Sequence, residues 1–321
     1  MEKPAAGETR VKRILKGLGY ILLILGICIG LLGISEVYCF SLFYEGGRFY
    51  YEGFGFGSFM FGNIVGQIIA YSLIAAVFIP LGSGHIRLKN WIIPLSKTLL
   101  WSWLVVGGPV TLMIAFILLA SKSLTILFTA IFLLFMTLSY LVFPFLFLKF
   151  YNKLIVLKVI KKNDAQTYWI NNKPIPLLVM AVLDLFSILI LLILMLFNGI
   201  FFLFGKFLSG VPGFLTLAGS MLVFTLLAWG TLKQKFWAWW GSVLWLGIFT
   251  LSIVATFAEK TYPQLLSALA FPSAEVAIFE NVPAQGYHFA ILVGIPLCIM
   301  LLIAILSKTH FSAGGNKETD I

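Results

Sequence analysis

Residues 175–204 read IPLLVMAVLDLFSILILLILMLFNGIFFLF, with one charged side chain, Asp184, among them. The run Leu185–Phe197 is apolar everywhere except Ser187. It does not alternate, so it is neither a half-buried strand nor a segment of a lipid-facing barrel. A helix needs about 20 apolar residues to cross a hydrocarbon core about 30 Å thick, and this stretch exceeds that length. Backbone groups inside lipid must be satisfied within the segment, which leaves the helix.

Seven further stretches read the same way: Gly17–Phe40, Phe59–Leu81, Thr98–Ala120, Leu124–Leu148, Pro212–Thr231, Trp237–Phe257 and His288–Leu306. The composition agrees, with 61% hydrophobic and 11% charged residues over 321 positions. Ordinary soluble domains carry roughly 25% charge, so a water-soluble fold and a disordered chain are both excluded. The expected fold class is all-α: a polytopic integral membrane protein with eight transmembrane helices.

Lysine and arginine set the expected orientation. Eighteen of the 22 basic residues fall in five segments, at alternate ends of the spans. They are the N-terminal arm (Lys3 to Lys16), Arg87–Lys97, Lys149–Lys173, Lys233–Lys235 and the tail with Lys308 and Lys317. The opposite side holds Arg48, Lys122, Lys206 and Lys260. Residues 1–16 are thus read as a cytoplasmic arm, 17–148 as spans one to four, and 149–174 as a cytoplasmic basic segment. Residues 175–307 hold spans five to eight with an extracytoplasmic loop at 259–287, and 308–321 form a cytoplasmic tail. The expected location is the cell membrane, with both termini cytoplasmic. The first apolar stretch exceeds a signal-peptide core and is read as an uncleaved anchor. The net charge of +10 follows from this topology, since basic loops are drawn to anionic inner-leaflet lipid, the expected partner. Nucleic acid is not an expected partner.

A weak repeat accompanies the spans. Gly84-His-Ile-Arg-Leu-Lys-Asn-Trp91 is echoed by Gly230-Thr-Leu-Lys-Gln-Lys-Phe-Trp237, 146 positions later. Duplication of a four-helix unit would give two parallel halves, although interfacial glycine, lysine and tryptophan also recur for general reasons. Within 149–174, Phe150–Lys162 mixes lysines with Leu154, Ile155, Leu157, Val159 and Ile160 and reads as a basic interfacial helix. The apolar pieces of the 259–287 loop, Leu265–Phe271 and Val276–Phe279, are too short to cross a bilayer.

Ionisable groups inside a membrane are costly and are functional candidates for that reason. Asp184 stands about nine residues into span five, too deep for a short side chain to reach the surface. It is a candidate proton- or cation-coupling carboxylate, or else a neutral acid bonded within the bundle, for instance to Ser187. Glu36, near the far end of span one, is the second candidate. Asn63, Gln67 and Tyr71 recur every four residues and share one face of span two, forming an expected polar cluster at about the depth of Glu36. Tyr44–Phe61 interleaves glycines with aromatic residues and reads as an aromatic belt or docking surface. Gly26/Gly30 and Gly62/Gly66 have the spacing of close helix contacts. Pro109, Pro144 and Pro296 are expected to kink their spans.

Chemistry is argued down by missing motifs. No H-E-x-x-H, C-x-x-C, Walker A or G-x-S-x-G sequence occurs. No catalytic residue, metal or cofactor is therefore expected. The leading expectation is a non-enzymatic integral subunit or scaffold whose partners are lipid and other membrane chains. A secondary transporter using Asp184 is the alternative, and a membrane enzyme acting on a lipid-like substrate the weaker one.

Overall fold

The computed structural model describes residues 6–120, 125–279 and 284–312. Glu2, Lys3, Lys122, Leu124, Glu280, Pro283, Lys317 and residues 313–321 lie outside them. Among the described residues there are thirteen α-helices: α1 (Ala6–Phe43), α2 (Phe59–Ile86), α3 (Ile92–Ala120), α4 (Ile126–Thr137), α5 (Phe143–Tyr151), α6 (Leu154–Asn163), α7 (Ile175–Leu196), α8 (Gly210–Leu232), α9 (Phe236–Glu259), α10 (Tyr262–Leu269), α11 (Ser273–Phe279), α12 (Gly286–Leu306) and the short α13 (Lys308–Ser312). Eight helical stretches among the described residues are long and apolar enough to cross a membrane, consistent with an integral membrane protein. Their exposed surface is apolar as well: Ile126, Leu127 and Leu134 on α4 project outward, as lipid-facing side chains do.

The expected span five is corrected at its end. Helix α7 stops at Leu196, and Phe201–Leu203 (β1) pairs antiparallel with Lys206–Leu208 (β2). The all-α expectation therefore gains a two-stranded hairpin. Asn198 and Gly199 both adopt positive φ, 57° and 63°, and stop the helix. Phe204 and Gly205 form a two-residue turn with positive φ at both positions, the geometry that matches strand twist. Apolar content misled here, because a hairpin buried in protein is as apolar as a span. Its backbone is satisfied by α9: Phe204 N–H donates to Ser252 Oγ (3.1 Å) and Gly205 N–H to Thr256 Oγ1 (3.0 Å). Irregular backbone is tolerated at membrane depth only with such protein partners.

Span four changes its hydrogen bonding next to a proline. Pro144 has no N–H and crowds the carbonyl four residues back. The preceding turn, Leu138–Val142, widens to π geometry, with Phe143 N–H bonded to Leu138 O.

The chain divides into two compact units. The first contains the described residues of Met1–Gly55, Met60–Leu100 and Leu146–Lys173. In it α1 and α2 run antiparallel along a stripe of small residues. A Cβ placed on Gly19 would lie 2.8 Å from Gly82 O, on Gly26 3.0 Å from Ile79 N, and on Gly30 3.5 Å from Ala75 Cβ. The Gly26/Gly30 pair thus does face a helix, as expected. Phe54 packs among Phe40, Phe43 and Phe61 at ring separations of 5.6, 6.0 and 6.1 Å, so the glycine-aromatic segment supplies an aromatic cluster to the ends of both helices.

Most of helix α6 falls in the segment Phe150–Lys162. Helix α6 buries Val156, Val159 and Ile160 in one cluster with Val11 and Leu15 of α1, while Leu154 at its start stays exposed. Lys158, Lys161 and Lys162 are left outward, and Lys162 pairs with Glu8 (3.1 Å). Nearby, buried His85 holds Leu81 O through Nδ1–H (2.7 Å) and accepts from the Tyr151 hydroxyl at Nε2 (2.6 Å).

Asp164 ties this segment to the α2–α3 turn. Asn90 N–H donates to its Oδ2 (2.9 Å), as does the Tyr168 hydroxyl (3.2 Å), and Gln166 N–H donates to Oδ1 (3.4 Å). The Asn90 N–H, ahead of the other donors and Lys89, holds the Asp164 carboxyl below its usual range against the opposing effect of burial. A carboxyl depressed on folding stabilises the protein above its unfolded value of about 3.9 and loses that contribution as pH falls through the folded value. Asp164→Asn is expected to cost about 2 kcal/mol at pH 7. Unfolding measured in mixed micelles should show the gap from wild type closing below about pH 4, and a gap independent of pH would refute this role.

The second unit contains the described residues of Phe56–Phe59, Trp101–Phe145 and Pro174–Ile321. Its core is built from α7 against α8 and α9 against α12. Trp239 Nε1–H donates to Ala304 O (2.9 Å), and the Lys308 ammonium lies 5.2 Å from the same indole ring, which fixes the end of α12 on α9.

The two echoed sequences form turns of one geometry. Leu88 and Gln234 adopt positive φ, 52° and 56°. Lys89 N–H bonds Gly84 O (2.9 Å) and Lys235 N–H bonds Gly230 O (3.0 Å), the long-range bond of a Schellman ending. A Cβ on Gly84 would lie 2.6 Å from the Trp91 ring, and one on Gly230 2.7 Å from the Trp237 ring. Glycine is required at both because the indole lies against the backbone.

Candidate functional site

The second unit encloses a cavity of about 620 Å³, within the roughly 300–1,000 Å³ of small-molecule sites. Helical spacing builds its walls. Leu183, Ser187, Ile190 and Leu194 follow one face of α7, Phe249, Ile253 and Phe257 one face of α9, and Leu292, Val293, Pro296, Leu297 and Met300 one side of α12. Val106, Val110 and Met113 of α3 complete the wall, and Phe201 and Phe202 of the hairpin enter it.

One end is closed by the segment read as a loop. Tyr262, Leu265, Leu266 and Leu269 of α10 line the cavity, so this amphipathic piece folds onto the bundle. Phe59, Phe197, Phe271 and Phe279 form a plug, with Phe59 4.7 Å from Phe279, 5.9 Å from Phe271 and 6.0 Å from Phe197. Such pairs add about 0.5–1.5 kcal/mol each beyond burial. Two polar ties hold the closure. The buried Glu275 carboxylate accepts from Phe59 N–H (2.7 Å), at the start of α2 where a helix favours an anion. Asn198 Nδ2–H donates to Leu269 O (2.7 Å).

The side of the cavity is open. Phe186 and Ile190 both line it, yet are 40% and 42% exposed. It therefore reaches the apolar outer surface of α7. Its two polar liners are already used: Ser187 Oγ–H donates to Leu183 O (3.0 Å), and the Tyr262 hydroxyl donates to Phe279 O (3.2 Å). No charged side chain lines the wall among the described residues, and cavities lined almost wholly by apolar side chains stay dry. What it suits chemically is hydrocarbon.

The sequence-read candidates fall elsewhere. Asp184 is 2% exposed, and its Oδ2 has no hydrogen-bond partner among the described residues. It neighbours Leu183 in sequence but is absent from the cavity wall. No hydrogen bond joins it to Ser187 among the described residues, and the Ser187 hydroxyl donates to Leu183 O of its own helix. Glu36, Asn63, Gln67 and Tyr71 all belong to the first unit. Gln67 Nε2–H donates to Asn63 Oδ1 (3.2 Å), and Tyr71 packs where Gly33 of α1 meets α2. The pairing of Gly30 with Ala75 brings half-exposed Glu36 near the level of Gln67 without a hydrogen bond between them. No group of three or more potential metal ligands occurs among the described residues.

The cavity was missed in sequence because its walls look like any other apolar span. The signal that could have been read was the concentration of Asn198, Gly199, Gly205 and Pro212 after span five, which marks folded-back chain. Comparison with known proteins finds no family model, no curated protein and no solved structure that matches this chain.

Proposed function

We propose that this is a non-enzymatic multi-pass membrane protein that holds one hydrocarbon chain of a membrane lipid in the cavity of its second unit. The observation that carries the reading is a wall of almost wholly apolar side chains with no charged one among the described residues, open at Phe186 and Ile190 to the surface that lipid tails would cover. In the cell membrane, with both termini cytoplasmic as the basic loops require, the cavity would lie in the outer half of the bilayer. The outward lysines of α6 would meet anionic inner-leaflet lipid, and the broad apolar face of α4 would meet lipid or other membrane subunits. The matching Leu88 and Gln234 turns support duplication of a four-helix unit, with a shared ancestral helix–turn–helix at its centre.

Catalysis finds little support, since no convergent polar groups face the cavity. Carboxylate-coupled transport would rest on Asp184, whose partnerless oxygen is unusual but sealed from the cavity and from solvent.

The test is photolabelling of the full chain in vesicles with a lipid carrying a diazirine on its acyl chain. Peptide mapping is expected to find label on Ile253 and Leu297, buried wall residues that bulk lipid does not reach. Label confined to outward residues such as Leu127 would sink the proposal.

A further inference from the structure

The position of the side opening limits what can fill the cavity. Among the described wall residues only Phe186 and Ile190 are exposed, and they are the twelfth and sixteenth of the 22 residues of α7. At 1.5 Å per residue the opening lies at least about 10 Å from either end of that helix, toward the middle of the hydrocarbon core, where tails end. Along α12 the wall runs from Phe289 to Met300, about 16 Å by the same rise. A tail whose head stays at the membrane surface must cover both distances, about 26 Å, to fill the space. An extended chain advances about 1.25 Å per carbon. A sixteen-carbon acyl tail therefore spans about 20 Å, and only its last carbons reach in. Space left without atoms forfeits the dispersion contacts of its lining, so a longer chain is held better.

The wall also selects by its chemistry. Ten of the thirty wall residues are phenylalanine, against 31 of 321 in the chain, so the enrichment belongs to the cavity. Tyr262, Phe289, Phe257 and Phe202 form one run of rings in the wall, with successive centroids 5.9, 5.4 and 4.8 Å apart. Lipid tails are as apolar as this wall, so burial alone gives no preference between chains. Ring faces carry negative charge density and attract polarised C–H groups, which an alkene presents and a saturated chain has less of. Each double bond also fixes a torsion in advance, so less freedom is lost when the chain is ordered.

We propose that the chain held in the cavity is the tail of a polyprenyl lipid, which enters by its free end between Phe186 and Ile190. This rests on the cavity reading above. An isoprene unit adds four backbone carbons, about 5 Å, so about six units satisfy the length. The cavity recognises the tail, and the head remains at the membrane surface.

Four probes with a diazirine at the free end of the chain separate the cases, each offered at equal mole fraction to the full wild-type chain in phosphatidylglycerol vesicles. They are a polyprenyl phosphate of eight isoprene units, a saturated alkyl phosphate of the same length, a sixteen-carbon alkyl phosphate and a sixteen-carbon alkane. Label is read at Ile253 and Leu297, both buried in the wall. The polyprenyl probe is expected to label about tenfold better than the sixteen-carbon phosphate, the ratio that about ten further dispersion contacts provide. The long saturated probe should fall between them, and the alkane below the polyprenyl probe. Equal labelling by the polyprenyl and sixteen-carbon phosphates overturns this inference and leaves the cavity reading standing, with ordinary tails as its occupants. So does a long saturated probe that matches the polyprenyl one, since the wall would then measure length alone. An alkane that labels as well as the polyprenyl probe also overturns it, in favour of a free hydrocarbon. Absence of label at both residues from every probe removes the cavity reading, and this inference with it.

Discussion

The Leu194→Trp and Val293→Trp variants are expected to lose at least about nine-tenths of the lipid label at Leu297 while remaining folded. Tryptophan at either wall position projects into a space of about 620 Å³ and competes directly with the chain. Adding volume to a close-packed core ordinarily costs about 1–3 kcal/mol. Here the volume is already open, so stability in mixed micelles should change by less than about 1 kcal/mol, and filling of a true cavity often stabilises. Labelling and unfolding measured on the same preparations test both halves. Undiminished labelling would mean that the chain is held elsewhere, whereas a large loss of stability would mean that the wall has no spare room.

The second large effect concerns the glycine stripe of the first unit. A Cβ on Gly82 would lie 2.6 Å from Leu23 N and 2.7 Å from Gly19 O, both main-chain atoms of α1. Backbone cannot rotate away as a side chain can, so α1 and α2 must separate. Gly82→Ala is expected to destabilise the protein by about 2–3 kcal/mol, and Gly82→Leu by more. Gly30 is the contrast, since its added Cβ would meet Ala75 Cβ at 3.5 Å, an ordinary contact. Gly30→Ala should be neutral or stabilise by up to about 1 kcal/mol through the unfolded chain. Equal effects at the two positions would show that close backbone approach does not hold this pair together.

These two experiments mark the limits of sequence reading. Gly26/Gly30 was recognisable from spacing alone, but the tighter Gly19–Gly82 crossing was not, because it depends on the register between two helices. Asp184 is conspicuous as a charge in an apolar run, yet the fold buries its Oδ2 with no partner among the described residues. The hairpin was misjudged because hydropathy measures burial and not conformation, while Asn198, Gly199 and Gly205 carried the conformational information.

The number of apolar spans and their approximate ends were determined by sequence alone. Lipid imposes a local rule, that each crossing segment satisfy its own backbone, and a local rule can be read one segment at a time. The cavity, its side opening and its phenylalanine plug were decided only by tertiary structure. A cavity is the space that neighbouring helices fail to fill, and no single helix contains it.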